Sequence, residues 1–308
     1  MRAPTLKSAH TDKNQTRAAA AASLAAKIPL IAMEARRLSA SISLGLHGRG
    51  RAGLGETFWQ YRTLRTGEAQ TRIDWRKSAR HADTLYVRDH EWEAARGFYI
   101  FIDRSPSMNY SSGTHPHKMD QAIIMGLALA DLLTRAGERV ALLGETHPSA
   151  SRQIIDRLAV ALLHSEDQTS AVPRPLQVSK QAHLVFISDF LINPQELDAC
   201  LVDFDRDVIS KTMLRLVDPA EMTFPFSGET ELLSAESALT LDIGDATDFS
   251  SEARAHLRDH HHALEKIAKA HRSFFLTHKT DEAMTQTLLT LMTHFAHRTH
   301  TGALFVHG

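Results

Sequence analysis

The chain has 308 residues, of which 43% are hydrophobic and 23% charged; that balance excludes a disordered or low-complexity polypeptide and implies a substantial buried core. Its 35 basic and 36 acidic side chains leave a formal charge of -1, so no global field draws it to nucleic acid or anionic lipid. The single cysteine, Cys200, excludes an internal disulfide, suits a reducing compartment and is expected to serve packing.

Residues 1–17 are polar and aperiodic, which predicts a flexible N-terminus. The Ala-rich stretch that follows is broken by Lys27 and Pro29 and is too short to span a bilayer. The spacing of Leu24, Ile28, Ile31, Ala32, Ala35 and Leu38 predicts instead a helix to about Ser41, kinked or restarted at Pro29. A helix with core spacing argues against a signal peptide, so the expected location is cytoplasmic, without membrane insertion.

Gly48, Gly50 and Gly53 satisfy G-x-G-x-x-G, but no strand precedes them and no helix follows. A basic loop is expected there rather than a dinucleotide site. From Phe58 to Arg96, short Trp-, Tyr-, Thr- and Arg-rich stretches alternate with turn residues, predicting small strands and loops. Residues 18–96 are thus expected to form a helix and a small β-rich region.

After residue 97 the rhythm becomes that of a parallel sheet. Apolar strands are predicted at 97–103, 139–144, 183–190, 208–217 and 273–278, with a last short one at Ala303-Leu-Phe-Val. Helices alternate with them at 118–134, 151–164, 194–205 and 251–270, followed by one with Met284, Leu288, Leu291, Met292 and Phe295 facing inward. The alternation predicts an α/β fold over 97–308, a doubly wound, mostly parallel sheet with ligands at the carboxyl ends of its strands. Residues 218–244 interrupt the pattern with a hairpin signature; a lone hairpin is marginal, and the β-rich 55–96 region is its expected pairing partner.

Chemistry concentrates where strands end. The first strand runs into Phe-Ile-Asp-Arg-Ser-Pro-Ser-Met, placing Asp103, Ser105 and Ser107 at alternate positions, and a later one ends in Ser188-Asp189. A carboxylate with two hydroxyls is a hard-oxygen set suited to Mg²⁺, which keeps several waters and accepts few protein ligands. The competing reading is that these residues cap and turn a strand-to-helix loop without an ion.

Asp-x-Ser-x-Ser after an apolar first strand, with Ser-Asp after a later one, resembles the metal-ion-dependent adhesion site of von Willebrand factor A domains. The stretch 65–93 (RTGEAQTRIDWRKSARHADTLYVRDHEWE) and the block 218–228 (DPAEMTFPFSG) resemble recurring segments of the family known as domain of unknown function 58, whose members are usually encoded beside MoxR-type AAA+ ATPases. The resemblance covers about Gly45 to Gly228. It implies that Asp103, Ser105 and Ser107 hold Mg²⁺ or Mn²⁺ directly or through water, that Asp189 binds a coordinated water, and that a partner's carboxylate completes the shell. It implies as partners a MoxR-type AAA+ ATPase and a further protein client. The family's third-loop threonine has its nearest counterpart in Thr169 of Ser-Glu-Asp-Gln-Thr-Ser-Ala-Val, which lacks the family's two glycines and following Asp.

Arg72, Asp74, Trp75, Arg76, Arg80, Arg88 and Glu91 form a dense cluster, read either as a recognition surface or as an Arg–carboxylate lattice; Trp75 and Tyr86 as packing anchors favour the lattice. The run Arg-Asp-His-His-His at 258–262 lacks paired-ligand spacing and is expected to be a solvated helix face rather than a zinc site. The two functional readings are a metal-dependent interaction module without turnover and a Mg-dependent phosphatase or other hydrolase with Asp103 as nucleophile. Ser105 stands where such phosphatases place a second carboxylate, which favours the module. No G-x-S-x-G elbow surrounds Ser105 or Ser107, which disfavours a serine hydrolase.

Overall fold

The computed structural model describes residues 27–43, 58–63, 78–79, 85–90, 97–113, 116–164, 171–173, 176, 178–179, 181–205, 208–233 and 240–301. Helix α1 covers 27–43, and strands β1 (Phe58–Thr63) and β2 (Tyr86–His90) form an antiparallel pair. The main body follows: β3 (Gly97–Ile102), α2 (Lys118–Arg135), β4 (Arg139–Leu142), α3 (Ile154–His164), β5 (Ala182–Ser188), α4 (Pro194–Phe204) and β6 (Val208–Val217). A short α5 (Pro219–Thr223) and a hairpin, β7 (Thr230–Leu233) with β8 (Thr240–Ile243), precede α6 (Ala246–Ala270), β9 (Phe274–Lys279) and α7 (Met284–Thr301).

The five central strands form an all-parallel sheet in the order β4-β3-β5-β6-β9. Parallel strands must be covered on both faces, which is why β5 is buried along its whole length. Alternation along the strands splits the core in two. Ile100, Ile102, Val185, Ile187, Leu214 and Leu216 share one apolar cluster with α1, α2, α3 and α7. Phe101, Leu184, Phe186 and Met213 share the other with Leu197, Leu201 and Phe204 of α4 and Leu264 of α6. Cys200 lies in this second cluster, and burial pushes its thiol up to about 12, so it packs and does not react.

Helix α2 is buried along most of its length. Gly126 allows its approach: a Cβ there would stand 2.6 Å from Ile102 Cδ1 and 3.1 Å from Ile102 Cγ1. A polar seam ties it to the sheet's far edge. Gln121 Nε2 donates to the Thr280 carbonyl (2.8 Å), and His278 bridges Gln121 Oε1 (3.1 Å) and Thr287 Oγ1 (2.8 Å). Burial lowers the pKa of His278, keeping the ring neutral in this seam.

Three parts of the chain add to or differ from the expected arrangement. Helix α1, expected within the 18–96 region, places Ile28, Ile31, Ala35, Leu38 and Ile42 in the same core as α2 and α3. Ser39 Oγ also donates to Asp131 Oδ2 on α2 (2.7 Å). The described helix contains Pro29, and the residues before 27 lie outside the described residues. The hairpin expected to pair with the 55–96 region forms, among the described residues, its own two-stranded sheet, separate from β1-β2. Its base is closed against α6: Ala246 N donates to the Gly228 carbonyl (2.8 Å), and Phe224 meets Phe226 and Phe249 edge-on. The third difference is the start of α6, which begins at Ala246 rather than Ser251 because Asp245 caps it, accepting from Thr247 N at 2.9 Å. The predicted 303–306 strand and the three-glycine loop lie outside the described residues.

Candidate metal-binding site

The chain leaves β3 with β4 hydrogen-bonded on one side and β5 on the other. At such a reversal the connections depart to opposite faces, opening a crevice at the strand tips. Asp103 continues the β3 ladder by one bond, its N–H donating to the Ile187 carbonyl at 2.9 Å. Its carboxylate thus lands beside the tip of β5, where Ser188 Oγ donates to Asp103 Oδ2 (2.6 Å). Ser105 N donates to Asp103 Oδ1 (2.8 Å), turning the chain so that Ser105 Oγ and Ser107 Oγ lie 3.2 Å apart. Asp103, Ser105 and Ser188 are fully buried and Ser107 nearly so.

Two carboxylates therefore share one desolvated corner. Burial raises the Asp103 pKa to about 6; the hydrogen bond from Ser188 opposes the shift, and the charge of Asp189 adds to it. A cation beside this carboxylate would offset the desolvation that raises its pKa. The donor set fits a small hard ion: one carboxylate and serine hydroxyls whose protons can rotate away, with Asp189 alongside. Among the described residues no three His, Cys, Asp or Glu side chains converge as a metal cluster. Any cation here would depend on hydroxyl and water oxygens, as Mg²⁺ and Mn²⁺ tolerate and Zn²⁺ disfavours. Thr169 lies outside the described residues.

Asp189 also has a charged partner on α2. Its Oδ1 accepts from Leu191 N (3.0 Å), and its Oδ2 accepts from Lys118 Nζ (2.7 Å). The Lys118 ammonium also pairs with Glu221 Oε1 of α5 and lies 5.7 Å from the Tyr110 ring centroid. Lys118 is 0% exposed. A signal for it existed: a lysine in the first turn of a helix opposes the macrodipole, and so calls for a nearby anion. Glu221 was legible too, because Asp218-Pro-Ala-Glu221 is a capping box; Asp218 Oδ1 accepts from Ala220 N (2.9 Å) and Glu221 Oε2 from Asp218 N (2.8 Å). Burial raises the Glu221 pKa, although the Lys118 charge opposes the shift.

The β5 tip is braced from behind. Phe190 adopts a positive φ of 53°, a strained conformation for a bulky residue. His260 Nε2 bonds its carbonyl (2.8 Å), and Arg215 Nη1 pairs with His261 Nδ1 (2.9 Å). The histidine run is therefore not a solvated face at these two positions: both rings are half-buried, His260 holds the loop that carries Asp189, and His261 holds Arg215, whose Nε donates to the Asp189 carbonyl at 3.4 Å. Of the Arg72–Glu91 cluster, only the backbone of Arg88, in β2, is described.

A family model described as "Protein of unknown function DUF58" matches residues 60–263. A comparison with curated proteins finds no match. Among solved structures, the chain is similar to that titled "Crystal structure of conserved hypothetical protein BatB from Bacteroides thetaiotaomicron". That likeness is 10% identical, covers 66% of this chain and 99% of that one, and has a TM-score of 0.35.

Proposed function

Because the chain belongs to the DUF58 family, we propose that it is a metal-dependent protein-binding module acting with a MoxR-type AAA+ ATPase, as an adaptor or maturation factor for a further client. The observation that carries the reading is the meeting of Asp103, Ser105 and Ser107 with Ser188 and Asp189 across two adjacent strand tips. In this proposal Asp103, Ser105 and Ser107 hold Mg²⁺ or Mn²⁺, and Asp189 orients a coordinated water. The ion supplies a Lewis-acidic position that an acidic side chain of a partner can fill. Ser105 at the second position after Asp103 leaves no carboxylate there for general-acid work, which favours binding over phosphoryl transfer.

No described helix is long and apolar enough to cross a membrane. The buried Cys200 thiol fits the proposed cytoplasmic setting.

The test is capture of a purified MoxR-type ATPase by the full chain, with Mg²⁺ and with chelator. Capture lost with chelator and in Asp103→Ala supports the module, provided Mg²⁺-dependent phosphatase turnover is absent. Turnover that disappears in Asp103→Ala would establish the hydrolase instead, and capture indifferent to metal would refute the metal requirement.

A further inference from the structure

Lys118 is the best-buried cation among the described residues, and it sits in the crevice assigned above to a divalent ion. Burying an ammonium is costly unless it is paired. Here two carboxylates from different elements pay that cost: Asp189 at the end of β5 and Glu221 on α5. The ammonium occupies Asp189 Oδ2, while Leu191 N engages Oδ1. Asp103 lies on the other side of the same corner, held by hydroxyl and amide donors.

Resting on the metal-site reading, we propose that Lys118 is a built-in counter-cation that competes with the divalent ion for Asp189 and so holds metal affinity down. Two effects act together. A second cation in a desolvated crevice repels the first, and the ammonium withholds the carboxylate oxygen on which a metal-bound water would rest. Glu221 makes the competition reversible, because an ammonium displaced from Asp189 keeps a carboxylate partner. Glu221 is itself fixed by Asp218 N, and Asp218 Oδ2 by Ser112 N (2.9 Å). Loading the site thus shifts Lys118 toward Glu221 on α5.

Lys118→Met alone would leave Asp189 and Glu221 buried without their cation, and unfolding would obscure the result. The informative variant is Lys118→Met with Glu221→Gln, which removes one charge of each sign and preserves the net charge of the crevice. Mn²⁺ and Mg²⁺ binding is measured by isothermal titration on wild type, the double variant and Asp103→Ala, with circular dichroism as the check on folding. The proposal expects the double variant to bind roughly tenfold more tightly or better, since Asp189 is freed at constant charge. It expects Glu221→Gln alone to bind more weakly than wild type, because Lys118 is then left with Asp189. Wild-type binding abolished in Asp103→Ala, with a folded double variant no tighter than wild type, overturns the competition and leaves the metal site standing. No binding in wild type or the double variant overturns the metal reading, and the proposal with it.

Discussion

Asp103 is where burial and charge conflict most directly. Its carboxyl is raised from an ordinary 3.8 to about 6 by desolvation, against hydrogen bonds that favour the anion. A carboxyl with a raised folded-state pKa binds its proton more tightly in the folded chain. The penalty is therefore absent below about pH 4, grows as pH rises toward 6, and is fully present above it. Its size is on the order of 3 kcal/mol. In chelator, Asp103→Asn should gain stability relative to wild type between pH 5 and pH 8, measured by urea unfolding at both values; a difference that does not change with pH would contradict this. Divalent-ion affinity of wild type should in turn weaken as pH falls through about 6, because the proton competes for the same oxygens; titration calorimetry at pH 5.5 and 7.5 checks it.

At the scale of elements, α2 and the strand tips act as one unit. Gly126 faces Ile102, the residue immediately before Asp103. Gly126→Ala should change stability little, since a gain of about 1 kcal/mol in helix propensity is set against a 2.6 Å approach to a movable Cδ1. Gly126→Leu should cost about 1–3 kcal/mol by overpacking. Denaturant midpoints of the two variants separate these outcomes. Helix α5 is a second such unit. Its capping box sets Asp218 and Glu221 in place, and burial, opposed and outweighed by hydrogen bonds from Ser112 and Ala220 and the Lys118 charge, leaves the Asp218 carboxyl below its ordinary range.

For the molecule as a whole, α1 is structural rather than appended. Its apolar face joins the core beneath β3, β5 and β6, and Lys27 pairs with Asp120 of α2 at 3.0 Å. Amides in the middle of α1 should therefore exchange with solvent on the timescale of those in α2; native-state hydrogen exchange tests this, and rapid exchange confined to α1 would show it to be an appendage.

The repeating strand–helix pattern after residue 97 was legible because each buried strand is apolar throughout and each helix keeps its 3.6-residue stripe, so the α/β class follows from local composition. Asp103, Ser105, Ser107 and Asp189 were legible because ligands gather at strand ends, and strand ends can be read. Single signals marked Lys118 and Glu221, but their meeting could not be read: Lys118 lies 71 residues from Asp189 and 103 from Glu221, and no local pattern records which side chains a crossover connection brings to one strand tip. The same holds for α1, whose periodicity announces a buried face but not the surface that covers it, and for the second hairpin, whose base is closed by α6. Local periodicity specifies what each segment must bury. Only the folded sheet, by choosing β5 as the neighbour of β3, decides which buried charges must neutralise one another.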